Sequence, residues 1–94
     1  MKLFQNIDAK FKELDFEKIR ENRYQVTYRR YNINGTHMID ILYEEDGRHV
    51  VQSYGEYFMD KGLLGNICVG LTAYEMELCL EKIKQMGWKI QKPS

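Results

Sequence analysis

The segment Asn32–Val50, NINGTHMIDILYEEDGRHV, contains two hairpin signals. Asn34-Gly35 and Asp46-Gly47 are dipeptides that supply positive φ at both central positions of a two-residue type I′ turn. Read this way, they predict three antiparallel strands, Arg23–Asn32, Thr36–Glu45 and Arg48–Tyr54. Arg29 then stands opposite Asp40, Arg23 opposite Asp46, and Gln25 opposite Glu44. Alternation of side chains sorts the residues onto two faces. One face collects Tyr24, Val26, Tyr28, Ile39, Ile41, Tyr43, Val50 and Tyr54, with Arg30, His37 and Gln52 out of character. The other collects Tyr31, Met38, Leu42 and Val51 among Arg23, Gln25, Thr27, Arg29, Asp40, Glu44, His49 and Ser53.

On either side of the strands the apolar period changes. Phe4, Ile7, Phe11 and Leu14 recur at helical spacing, and Asp15 and Lys18 interrupt the stripe, so a first helix ends near Leu14. Residues 16–22 read equally as an edge strand or an irregular link. Residues 55–70 are spaced by glycines and read as a long connection, with a short strand at 67–69 as the one element it could hold. Thr72 and Glu75 then form a capping box, flanked by Leu71 and Met76 as a hydrophobic staple. The helix that follows is expected to bury Met76, Cys79, Leu80, Ile83 and Met86. Gly87 suits the left-handed position past its end, with Trp88 folding back on Ile83. The prediction is an α+β two-layer domain spanning residues 1–94, an antiparallel meander of three to four strands with both helices on one face.

Composition narrows the function classes. The chain has 94 residues with 14 basic and 14 acidic side chains. Before Gly47 there are 8 basic and 9 acidic residues, after it 6 and 5, so neither half is a polyanion-binding arm. The amino-terminal MKLFQNIDAKFK has no apolar run of the signal-peptide kind. The longest uncharged run, Gly62–Tyr74, has 13 residues, short of the ~20 a spanning helix needs. Cys68 and Cys79 are too few and too isolated for a disulfide scaffold or a zinc site, which points to a reducing cytoplasm. Two alanines against eight isoleucines fit the AT-rich coding of a low-GC bacterium or its phage.

Several patterns that resemble chemical sites fail on spacing. Gly65–Thr72 approaches the phosphate-loop pattern, but leucine stands where the lysine belongs, leaving a turn and an N-cap. Asp40, His49 and Ser53 share a predicted face, yet His49 and Ser53 are four residues apart, ~13 Å along a strand. His49 opposite Glu44 is then a cross-strand pair, and His37 lies on the other face, so the histidines make no metal site. Glu56, Asp60, Glu75 and Glu77 are scattered, and no paired carboxylates are indicated. No catalytic set, cofactor or metal is expected.

Two binding readings remain, with a third behind them. Tyr31, Met38, Leu42 and Val51 cluster on the second sheet face, where water alone would seldom select them. They are covered either by residues 56–70 or by a protein partner or second copy. The leading expectation is a non-enzymatic cytoplasmic module acting by protein–protein contact. The alternative is nucleic-acid binding through Arg23, Arg29, Arg30 and Tyr31, with Lys89 and Lys92. Arginines matched by Asp40 and Glu44–Asp46 would displace few phosphate counterions, which weighs against that reading. A small-ligand cleft near Tyr43, Tyr54 and Tyr74 is the third.

Overall fold

The computed structural model describes residues 6–33, 35–59 and 62–87. In chain order its elements are α1 (Ile7–Glu13), β1 (Glu17–Glu21), β2 (Gln25–Asn32), β3 (Gly35–Tyr43), β4 (His49–Met59), β5 (Gly62–Cys68) and α2 (Ala73–Gln85). The strands form one antiparallel meander in sequence order. Both helices contribute to the core against a single sheet face. This is the α+β architecture expected from the sequence, with five strands instead of three or four. The undecided link supplies β1. The expected long connection is instead the end of β4 together with β5.

Local chemistry explains where the helices begin and end. The side chain of Asn6 accepts the Ala9 N–H at 3.0 Å and starts α1. Asp15, at φ +70°, stops it, and the next residue, Phe16, turns back into the core. In α2 the capping box is reciprocal: Glu75 N–H donates to Thr72 Oγ1 at 3.0 Å, and Thr72 N–H donates to Glu75 Oε1 at 2.8 Å. Gly87 closes the helix at φ +79°. Phe4, Asn34, Asp60, Trp88, Lys89 and Lys92, which also carried expectations, lie outside the described residues.

Both hairpins depart from the expected turns, with different consequences. β2 closes on β3 at Asn32↔Gly35, so Arg29 faces Met38 and Asp40 faces Thr27. This shift of two residues keeps every side chain on its expected face. The second departure does not. Gly47 N–H donates to the Glu44 carbonyl at 2.9 Å, and Glu44 N–H to the Arg48 carbonyl at 2.8 Å, enclosing a three-residue loop. Gly47 takes positive φ at +88°, while Asp46 uses its carboxylate to accept the Arg48 N–H at 3.0 Å. A type I turn with a glycine bulge replaces the type I′ turn. Tyr43 therefore pairs with His49, and Ile41 with Val51.

That single residue of loop length turns β4 over. Val51 packs against the core beneath the helices, correcting its expected place on the second face, and His49 and Ser53 move with it. Val50, Gln52 and Tyr54 go to the second face instead. Tyr24, expected in the core, lies before β2 and is 59% exposed. Nor does Arg23 meet Asp46, whose carboxylate is bonded to Arg48 Nε at 2.6 Å.

The core joins α1, α2 and the sheet through Ile7, Phe11, Phe16, Val26, Tyr28, Ile39, Ile41, Leu78, Cys79 and Ile83. Full burial of one such side chain contributes about 1.5–3 kcal/mol. Phe11 stacks on Tyr28 with ring centroids 3.9 Å apart and meets Phe16 edge-on at 5.8 Å. α2 is rotated relative to its apolar stripe. It buries Glu75, Leu78, Cys79, Lys82 and Ile83, and leaves Met76 and Leu80 about two-fifths exposed.

A ring of charges accounts for the buried lysine. Asp8 accepts from Lys18 at 2.6 Å and from Lys82 at 3.2 Å; Glu21 accepts from Lys18 at 3.0 Å and from Lys82 at 2.9 Å. The Tyr28 hydroxyl adds a bond to Asp8 at 2.6 Å. Burial pushes the Asp8 carboxyl up, but bonds from Lys18, Tyr28 and Lys82 outweigh it and the net direction is down. Glu21 is held down by its bonds from Lys82 and Lys18.

The β4 register predicts opposite outcomes for adjacent residues. Val51→Glu places a charge under the helices and should lose about 2 kcal/mol or more in urea unfolding. Val50→Glu should cost under about 1 kcal/mol. Equal losses would contradict the pairing of Ile41 with Val51.

The charge ring predicts a loss of about 2 kcal/mol for Lys82→Ala, which removes one of the two cations shared by Asp8 and Glu21 and leaves Lys18 to serve both, against less than about 0.5 kcal/mol for the exposed Lys84→Ala. Both carboxyls have folded-state values below their ordinary ones. The contribution is therefore present above pH 4.5, the ordinary Glu21 value, and is lost as pH falls through the folded-state values. Urea midpoints of wild type and Lys82→Ala should converge at low pH.

Candidate functional site

The sheet face opposite the helices is built from alternate residues of the three central strands: Gln25, Thr27, Arg29 and Tyr31 of β2; Thr36, Met38, Asp40 and Leu42 of β3; Val50, Gln52, Tyr54 and Glu56 of β4. Residues 56–59 and 62–68 lie in the plane of the sheet as strands, so their backbone extends the sheet sideways and does not cross this face. Of the four expected partner-binding residues, Tyr31, Met38 and Leu42 share the face and Val51 does not. Leu42 is directly paired with Val50, which takes the place expected for Val51. Tyr31 is 66% exposed, whereas Met38 lies on the central strand with only 8% of its surface open.

A polar row crosses the middle of the face. Arg20 Nη1 donates to Gln25 Oε1 at 3.5 Å, Gln25 Nε2 to Thr27 Oγ1 at 3.0 Å, and Thr27 Oγ1 to Asp40 Oδ1 at 2.7 Å. The Tyr54 phenol approaches Asp40 from the other side, on β4. Burial, then the nearby Asp40 carboxylate, pushes the Tyr54 phenol up to about 12. Asp40 is 8% exposed and has no ion pair among the described residues. It forms a shallow depression with Gln52, Tyr54 and Cys68. Thr27 and Tyr54 converging on Asp40 is a constellation that sequence reading missed, because Thr27 faces Asp40 only through the shift of β2 on β3 and Tyr54 shares its face only through the β4 register.

The arginine strand is divided between the two faces. Arg29 lies on the open face, 3.5 Å from Glu17 and 4.8 Å from the centre of the Tyr31 ring. Its acid is on β1, not Asp40 as expected. Arg30 points the other way, into the helical layer. Its Nη1 donates to the Leu14 carbonyl at 3.1 Å, its Nη2 lies 3.6 Å from Glu75, and its guanidinium covers Phe16 at 4.3 Å. Arg23 rests over Tyr24 at 5.7 Å. The four residues of the nucleic-acid reading therefore form no continuous surface. Tyr43, Tyr54 and Tyr74 are equally dispersed, on the helix-side face, the open face and the outside of α2.

One pair resembles catalytic machinery. His37 Nε2 lies 2.7 Å from Ser53 Oγ, beneath the helices, where the expected register had put the serine on the opposite face. The other ring nitrogen, Nδ1, lies 3.1 Å from Arg30 Nη2. A guanidinium has donors only, so Nδ1 must accept and Nε2 must carry the proton. The imidazole therefore donates to Ser53 and cannot take its proton as a base must. Burial first, and Arg30 second, lower the His37 pKa and hold the ring neutral. His49, on the same face as His37, packs edge-on against Tyr43 at 4.9 Å. No group of metal-ligating side chains occurs among the described residues. Cys79 is buried, with its thiol pushed up to about 12 by burial, while Cys68 is exposed.

No protein-family model, curated protein or solved structure matches this chain. No helix among the described residues is long and apolar enough to cross a membrane.

The polar row has a spectroscopic consequence. Tyr54 should ionise at about 12, and Asp40→Asn should bring it down toward 10, the ordinary phenol value. An ultraviolet titration that finds the same Tyr54 midpoint in both proteins would remove Asp40 from the network.

Proposed function

We propose that this protein is a non-enzymatic cytoplasmic module that acts by binding a different protein through the open face of its sheet. The observation that carries this reading is that the backbones of residues 56–59 and 62–68 run beside the sheet, so that among the described residues no chain segment crosses the face that holds Tyr31, Leu42 and Val50. The face is of mixed character. An apolar pair, Leu42 with Val50, borders a row of hydrogen-bonding groups that ends at Asp40. Its complement is a protein surface with apolar side chains at the Leu42 end and hydrogen-bond donors over Asp40.

Charge favours a heterologous partner over a second copy. Stacking two of these faces about a twofold axis through the central strand would bring two Asp40 carboxylates together as water is expelled, which costs free energy. Charge also weighs against nucleic acid, because Glu17 accompanies Arg29 and Arg30 is committed to the helical layer. The inverted tautomer of His37 weighs against acyl-transfer chemistry at Ser53. A free exposed Cys68 and a free buried Cys79 suit a reducing compartment.

The test is quantitative binding to a partner identified by affinity capture and then purified. Leu42→Glu with Val50→Glu should weaken binding more than tenfold with the circular dichroism spectrum unchanged, while Glu77→Lys on the outside of α2 leaves affinity intact. Equal loss from Glu77→Lys would move the interface to the helices. Concentration-dependent dimerisation abolished by the same pair of substitutions would replace the heterologous partner with a second copy. Salt-sensitive binding to an oligonucleotide would restore the nucleic-acid reading.

A further inference from the structure

The helical layer is joined to the sheet at one end through an arginine that donates to a histidine able to titrate. Arg30, on β2, holds three elements at once: the Leu14 carbonyl at the end of α1 at 3.1 Å, the Glu75 carboxylate in the first turn of α2 at 3.6 Å, and His37 Nδ1 on β3 at 3.1 Å. Glu75 is 5% exposed and also closes the capping box of α2, so Arg30 is the cation beside a buried carboxylate. His37, equally buried, completes the arrangement with its Nε2 at 2.7 Å from Ser53 Oγ on β4 and its ring edge-on to Phe16 at 5.2 Å. Every group has one assigned role. Arg30 donates to the Leu14 carbonyl and to His37 Nδ1 and pairs its charge with Glu75, and His37 Nδ1 is the acceptor that keeps the guanidinium against the sheet.

We propose that the His37–Arg30 contact is an acid-sensitive latch whose release frees the end of α1 and the first turn of α2 from the sheet. A proton added to His37 goes onto Nδ1, the nitrogen that accepts from Arg30. The contact then has an N–H and a positive charge on both sides, and Arg30 cannot relieve it by losing its own proton. Among the described residues Glu75 is the one carboxylate facing the pair; it favours protonation of His37, while burial and Arg30 oppose it. Ser53 and Phe16 bring no charge. Once the guanidinium swings away, the Leu14 carbonyl loses its donor and Glu75 its cation, so the loosening reaches both helices. Strands β2 and β3 stay joined by their own ladder. The lowered His37 value fixes the direction. The latched state is fully favoured above pH 6.5, the ordinary histidine value, and weakens as pH falls from there toward the folded-state value. The inference is independent of any partner on the opposite sheet face.

Backbone amide exchange and imidazole nitrogen shifts, followed by NMR from pH 7.5 to pH 5 on the full chain, test it. The range stops above the titration of Asp8 and Glu21. The expected result is His37 protonated at Nε2 alone at the upper pH. As the ring takes up its second proton, exchange corrected for intrinsic rates should rise reversibly, about tenfold or more, at residues 73–78 and 14–16, with β2 and β3 unchanged. His37→Gln keeps an acceptor for Arg30 and cannot be protonated, so it should show no such step, whereas His49→Asn should retain it. Proton location on Nδ1 at the upper pH, titration of His37 without change in α2, a uniform loss of protection over the chain, or the same step in His37→Gln would each overturn the latch. The first two are read on the unaltered protein and do not depend on a variant folding.

Discussion

The carboxylate of Asp8 is the point at which the two layers are joined. It lies in the first turn of α1 and accepts from Lys18 of β1, Tyr28 of β2 and Lys82 of α2. Removing Lys82 from water is costly, and an ammonium group there is tolerated because two carboxylates and Gln85 surround it. The aromatic stack of Phe11 on Tyr28 lies beside this ring and places the phenol hydroxyl on Asp8. Apolar burial supplies most of the stability. The charge ring restricts how the helices can rotate, because hydrophobic contact alone would equally accept the Met76 and Leu80 stripe facing inward.

Arg30 does at the other end of the helical layer what Asp8 does at the first. One is a cation giving to a carbonyl and an imidazole beside a carboxylate; the other is an anion receiving from two ammoniums and a phenol. The helix-side face is thus occupied by packing and by two polar fastenings. The resemblance of His37 and Ser53 to a catalytic dyad belongs to that structural work. The opposite face has a different character, since its polar row is satisfied within the sheet while its apolar residues flank the row. That division of labour explains why functional interest falls on the face the helices leave open.

Much of the architecture could be read from local chemistry. The capping box at Thr72 and Glu75, the end of α1 before Asp15, the glycine past α2 and the hairpin positions all depend on residues within four positions of one another. Alternation in β2 and β3 placed Val26, Tyr28, Ile39 and Ile41 inward correctly, since an error of two residues in register leaves the faces unchanged. Of the candidate binding residues, Tyr31, Met38 and Leu42 fell on one surface for the same reason. Val51 did not, and the failure came from one loop. Asp-Gly can serve a two-residue or a three-residue connection. The choice between them depends on Asp46 bonding the Arg48 backbone and on β4 fitting Val51 under the helices.

The amino-acid sequence alone determined the two helices, the caps of α2, the order of the three central strands and the inward residues of the first two, because these follow from short-range backbone preference and side-chain period; β1 and β5 it left open. Tertiary structure decided which side of β4 meets the core, how far α2 is rotated, and that Glu75 and Lys82 could be drawn out of water. Those outcomes turn on partners distant in the chain. A buried charge is acceptable only where its counter-charge arrives, and no local pattern records that Lys82 will meet Asp8 and Glu21.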